Sequence, residues 1–312
     1  MIDSNETFVS EFILLGFSSV KNIKLLLFGL FLFIYIITVT GNVVIISIVS
    51  DDEQLHTPMY FFLSNLSFLE ILYTTNIVPM MLCHIISENH GISFLGCIAQ
   101  LYFFGSLGST ECFLLGVMAY DRYVAICKPL HYPTLMSVRT SILLAVCSWA
   151  SGFILTFGAL IFVSQLHFCG PNVIRHFFCD LQPVLKLSCK DAYAIYMVAW
   201  TLASTILLGS CLLTLASYVH IILTMLKIPF SKGRQKAFST CTAHLTVVVI
   251  YYGAMISMYV SPNNADGAEF NKILSLLYTV VTPFMNPFIY TLRNQEVKQA
   301  LQKAAIRLCK HF

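Results

Sequence analysis

The chain has 312 residues, of which 57% are hydrophobic and only 11% charged, and its mean hydropathy is +0.78. That is far more apolar surface than a water-soluble fold of this length can bury, so a membrane protein is expected and a soluble enzyme is excluded. The net charge of +3 reflects how cations are shared between two sides of a bilayer and does not indicate a nucleic-acid partner.

A hydrocarbon core of ~30 Å needs about 20 apolar residues per helix. Seven stretches meet that requirement: 23–49, 58–86, 97–124, 140–163, 196–226, 237–260 and 273–292. The preceding tail, 1–22, lacks a cationic segment followed by an apolar core and cleavage site, so no removable signal peptide is expected. Asn5-Glu6-Thr7 in this tail is a glycosylation sequon, whereas the second match, Asn65-Leu66-Ser67, falls inside a helix.

With the N-terminus outside, twelve of the eighteen Lys and Arg lie on the cytosolic side, as the positive-inside rule requires. The second helix opens with Pro58, which suits a first turn whose N–H has no partner. Glu70 follows twelve residues on, ~18 Å deep at 1.5 Å per residue. In the third helix Glu111 lies at a similar depth, ~20 Å from the inner end. Either the two carboxyls meet, so that one is protonated or a cation is shared, or each separately bonds a Ser, Thr or Asn. Outward of Glu111, Phe104, Gly105, Gly108, Ser109 and Cys112 recur at helical spacing. This face either floors a cavity or simply packs against another helix.

Met118-Ala-Tyr-Asp-Arg-Tyr-Val-Ala-Ile-Cys127 places an acid beside a guanidinium just after an apolar span. Because Arg122 stays charged, it must face water at the boundary or be held by partners within a bundle. The loop from Ser164 to Ala192 is long and contains His176-Phe-Phe-Cys179-Asp180. That set would bind a soft metal only if Cys179 were a free thiol. Cys97, Cys169, Cys179 and Cys189 face the oxidising side, and two disulfides with three connectivities are compatible with them. The other seven cysteines read as apolar packing residues.

Farther along, helix five carries Tyr218. Helix six opens on Lys232, Arg234 and Lys236, and helix seven contains Pro283-Phe-Met-Asn286-Pro287-Phe-Ile-Tyr290, where Pro287 should bend the axis. Beyond Arg293, Val297, Ala300, Leu301, Ala304 and Leu308 alternate with Lys298, Lys303 and Arg307, the pattern of an amphipathic helix on the inner leaflet.

Seven spans, Asp-Arg-Tyr at the base of helix three and Asn-Pro-x-x-Tyr in helix seven resemble a rhodopsin-like G-protein-coupled receptor. Leu55-His-Thr-Pro-Met-Tyr60, the Met118–Cys127 stretch, Ser217-Tyr218, Lys236-Ala-Phe-Ser-Thr-Cys-Thr-Ala-His-Leu245 and Pro287-Phe-Ile-Tyr-Thr-Leu-Arg-Asn294 narrow the resemblance to the odorant (olfactory) receptors. The resemblance implies an all-α membrane fold: an extracellular tail over 1–22, a seven-helix bundle over 23–292, and a cytoplasmic tail with a short amphipathic helix over 293–312. It further implies a Cys97–Cys179 disulfide with Cys169–Cys189 as the second pair, glycosylation at Asn5, and residence in the plasma membrane.

Function follows from the same resemblance. A small hydrophobic odorant would bind among Phe104, Gly105, Gly108, Ser109 and Cys112 of helix three, Leu202, Ala203 and Ile206 of helix five, Tyr252, Met255, Ile256 and Tyr259 of helix six, and Thr279 of helix seven. Asp121, Arg122 and Tyr123, with Tyr218, Asn286, Pro287 and Tyr290, would form the switch that engages a stimulatory olfactory-type G protein and raises cyclic AMP. No enzymatic activity and no cofactor are expected, apart from a candidate sodium site at Glu70 and Glu111. Glu70 is one methylene longer than the acid common at that position. Phe104 stands where amine receptors carry an acid, which disfavours amines, and helix seven lacks a Lys for retinal. Helix six offers Arg122 no carboxylate. The rival readings are a receptor for a non-odorant metabolite outside the nose and, in another class, a transporter or channel. The latter would show internal repeats or broken helices, and no repeat is evident.

Overall fold

A computed structural model describes residues 9–17, 23–87, 90–168, 172–189, 192–227, 232–260 and 267–311. Asn5 and Cys169 lie outside the described residues, as does the side chain of Tyr259. In lipid every backbone N–H and C=O must be satisfied within the segment, which is why the apolar runs all become helices. These are α1 (Lys24–Asp51), α2 (Pro58–Ile86), α3 (Phe94–Cys127), α4 (Val138–Ser164), α5 (Tyr193–Lys227) and α6 (Lys232–Val260). α7 is continuous through Gly267–Leu276, a π-helical turn at Leu277–Val281, and Thr282–Arg293; α8 follows as Gln295–His311.

Among the described residues, six of the helices are long and apolar enough to cross a membrane, and α6 contains the apolar stretch His244–Ser257. The protein is therefore an all-α, multi-pass seven-helix bundle with an amphipathic C-terminal helix. Several helices outrun the hydropathy signal. α3 begins three residues before the predicted 97 because the Ser93 hydroxyl accepts from the Gly96 N–H at 3.1 Å and caps it. α6 starts at Lys232 and not 237, since an α-helix does not stop where its apolar face does.

α2 and α3 contribute many of the buried core side chains, including Tyr60, Phe62, Leu66, Tyr73, Leu114 and Leu115. α4 reaches α3 closely at Gly152, where an added Cβ would lie 2.7 Å from the Ser106 carbonyl. A small residue at that crossing lets the two backbones approach, the usual device for packing helices in lipid. Leu26 and Phe33 of α1, Leu143 and Ile154 of α4, and Leu212 of α5 remain exposed and form the lipid-facing surface.

One element had no counterpart among the expected helices. Glu11–Leu14 is a strand, β1, that lies between β2 (Gly91–Ser93, antiparallel) and β3 (Val173–Ile174, parallel). Its period-2 alternation turns Phe12 and Leu14 inward. There they join Ile92, Cys97, Leu101, Phe168, Ile174 and Val184 in a second apolar cluster at the disulfide end of the bundle.

Candidate functional site: a cavity roofed by the disulfide loop

A cavity of about 250 Å³ opens among α3, α4 and α5 toward the disulfide end, closed by Met255 of α6, Tyr278 of α7 and Asp180–Gln182 of the long loop. Nine of the thirteen expected pocket residues line it: Phe104, Gly105, Gly108, Ser109, Cys112, Leu202, Ala203, Ile206 and Met255. Three others lie elsewhere. Tyr252 is buried edge-on against Tyr251 with ring centroids 5.4 Å apart, and Thr279 is sealed in α7 with its hydroxyl donating to the Ser275 carbonyl at 2.6 Å. Ile256 is 39% exposed on the outer face of α6, because it is rotated about 100° from Met255 around the axis.

The cavity floor is tied to α6. The Tyr251 hydroxyl donates to the Gly108 carbonyl at 3.0 Å and sits 3.3 Å from the Cys112 sulfur, so a ligand on this floor touches the residues that link α3 to α6.

The roof is held from several directions. Cys97 at the top of α3 is bonded to Cys179. The Cys179 N–H donates to the Gln100 side-chain oxygen at 2.9 Å, and Gln100 exchanges amide bonds with Asn76 of α2 at 2.9 and 3.0 Å. His176 is buried in ring contact with Phe177 and Phe178. Burial, together with the Lys272 charge, pushes its pKa down to about 3. Asp180 lies in the cavity wall, where burial pushes its carboxyl up to about 6 against the single hydrogen bond it accepts from the Leu181 N–H at 2.8 Å. With Cys179 oxidised, the His-Cys-Asp set is not a soft-metal site, and no group of three metal-ligating side chains occurs among the described residues. Cys189 is also disulfide-bonded.

Beneath the cavity Glu70 of α2 and Glu111 of α3 are both buried. The Asn286 amide of the Asn-Pro motif donates to Glu70 Oε1. Glu70 thus bonds an amide, as the second of the two alternatives has it for that residue. Asn42 Oδ1, Glu70 Oε2 and Asn286 Oδ1 are buried oxygens lacking a hydrogen-bond partner, a donor set that fits a hard monovalent cation.

At the opposite end, Asp121 is fully buried. It accepts from Arg122 Nε at 2.9 Å, from a second guanidinium nitrogen, and from the Tyr132 hydroxyl at 2.8 Å. Arg122 lines a small recess with Met118, His244, Tyr290 and Asn294. The Tyr218 hydroxyl is 2.5 Å from His244 Nδ1, which joins α5 to α6 beside that recess. The Tyr60 hydroxyl is 3.0 Å from Asn294 Oδ1 and also within hydrogen-bonding distance of Glu296 Oε2, its one proton shared between the two acceptors, which anchors the start of α8.

A family model described as olfactory receptor matches residues 31–308. The chain belongs to the olfactory receptor family. It is 51% identical to Olfactory receptor 6F1 of Homo sapiens, covering 97% of this chain and 98% of that one. Olfactory receptor 11L1 of Homo sapiens is 50% identical over 99% of this chain and 96% of its own length, and Olfactory receptor 6B1 of Homo sapiens is 52% identical over 96% of each.

In this receptor the structure also brings forward cavity residues that sequence reasoning passed over. Thr156, Ala159, Leu160 and Val163 of α4 line the wall. Their 3-1-3 spacing is a single helical face, a signal that was present and unused. Asp180 and Gln182 carry no periodic signal, and Tyr132, at the Arg122 end, lies in a short helix, Tyr132–Leu135, with no motif to mark it.

Proposed function

We propose that the receptor binds a small, largely hydrophobic odorant in the cavity between α3, α4 and α5, and that occupancy activates a stimulatory olfactory-type G protein to raise cyclic AMP. The observation that carries this reading is the link from cavity floor to α6 through Tyr251. Ligand burial, worth ~25 cal/mol per Å² of apolar surface, is released beside the contacts that hold α6 against α3. Outward movement of α6 would then separate Tyr218 and His244 and free Arg122 for the G protein, with Asp121 and Tyr123 shaping that face. Asn286, Pro287 and Tyr290 of α7 would relay the movement past Glu70. A sodium ion, where bound, would be held by Glu70, Asn42 and Asn286 and would neutralise the buried carboxylate beside Glu111.

The cation-rich Arg122 end faces the cytosol in this reading, and the strand β1, the disulfide loop and Asn5 face outward at the plasma membrane. Arg122→Ala, at equal surface expression, is expected to abolish odorant-evoked cyclic AMP in a reporter line screened with a broad odorant panel. Gly108→Leu, which fills the cavity, is expected to do the same. A full response from either variant overturns the corresponding half of the mechanism.

A further inference from the structure

Asp180 is the one acid among the described residues that line the cavity. Its position is rigid, because the preceding residue is held by the disulfide to α3 and by Gln100. It is largely buried, 8% exposed. Oδ1 accepts from the Leu181 N–H, and among the described residues no Lys, Arg or His pairs with the carboxylate. Among the described residues no hydrogen bond engages the second oxygen, and the residue itself lines the cavity. The Lys272 ammonium is engaged by the Gly16 carbonyl at 3.3 Å. A buried carboxylate without a cation is costly unless something else supplies the charge.

We propose that Asp180 is the polar anchor of this cavity, and that the ligand it selects is a small amine whose protonated nitrogen docks on the carboxylate while its apolar body fills the space below. This rests on the cavity being the odorant site. The surrounding wall suits such a ligand. The aromatic residues Tyr73, Phe104, Trp200 and Tyr278 line the cavity, and aromatic rings attract cations; Leu160, Val163 and Ile206 take the hydrocarbon part. At neutral pH a carboxyl whose pKa is pushed up to about 6 is still mostly ionised. The absence of an acid at position 104 therefore does not exclude amines, because the loop brings one in from above.

The test uses the full-length receptor and a series of ligands that share one carbon skeleton and differ only in head group: primary amine, alcohol, aldehyde and methyl. Binding is read as thermal stabilisation of the detergent-solubilised receptor, and signalling as cyclic AMP at matched surface expression. The amine is expected to bind about tenfold or more tightly than the alcohol, the difference a charge-assisted hydrogen bond makes. Asp180→Asn should erase that preference by weakening the amine far more than the alcohol, and Asp180→Glu should restore part of it. A receptor that no amine stabilises, or an Asp180→Asn variant that keeps the preference or weakens amine and alcohol equally, overturns the assignment and leaves the cavity reading intact. If Gly108→Leu leaves binding of every series member unaltered, the cavity reading itself falls.

Discussion

Tyr132→Phe tests whether the Asp121–Arg122 pair acts as a latch that restrains Arg122 in the inactive receptor, through the partner least expected from the motif. Asp121 is fully buried, and its Oδ1 receives the Tyr132 hydroxyl at 2.8 Å while Oδ2 is taken by Arg122. Phe keeps the ring and removes only the donor. A hydrogen bond to a charged group contributes about 1.5–3 kcal/mol. Tyr132 is half-buried, so water can partly replace its hydroxyl, and the lower end applies. At 1.4 kcal/mol per factor of ten, the closed state loses about tenfold in population relative to the open one. Ligand-independent cyclic AMP, normalised to surface receptor, should rise accordingly. Asp121→Asn, which also removes the charge holding Arg122, should raise it further. Basal signalling equal to wild type in Tyr132→Phe alongside a raised Asp121→Asn would show that Tyr132 keeps nothing closed, and unchanged signalling in both would refute the latch.

Other consequences concern stability. Gly152→Ala would bring a Cβ within 2.7 Å of the Ser106 carbonyl and 2.8 Å of the Thr110 amide, both backbone atoms. It should lower thermal stability by about 1–3 kcal/mol, and adding Thr110→Ala should not rescue it, because only the side-chain clash is relieved. His176 stays neutral in the fold, with a pKa near 3, whereas the unfolded chain takes up a proton below about 6.5. The unfolded state thus binds more protons on acidification, and stability falls by about 2 kcal/mol between pH 6.5 and pH 5. His176→Gln should flatten that slope in a melting series, and an unchanged slope would refute the assignment. Asp180 behaves oppositely, since a carboxyl raised from 3.8 to about 6 penalises the folded state once pH exceeds both values. The empty Asp180→Asn receptor should be more stable at pH 7.5 by up to about 3 kcal/mol, and melting no higher than wild type would count against an unpaired carboxylate.

The spanning helices, the amphipathic C-terminal helix and the family are all readable from the chain, because each depends on local composition or on a contiguous motif. Lipid leaves an apolar run no alternative to helix, and an oxidised pair such as Cys97 and Cys179 follows from the resemblance once the motifs are in place. What the chain does not carry is the rotation of each helix about its own axis. Met255 reaches the cavity and Ile256 faces lipid, though both are apolar neighbours in one helix. Nor does it encode pairings between segments far apart. β1 meets β3 across about 160 residues, Tyr132 meets Asp121 through a loop, and Asp180 is lowered over a cavity built by helices on either side of it. Such contacts depend on where whole elements come to rest against one another, and only the packed bundle decides that.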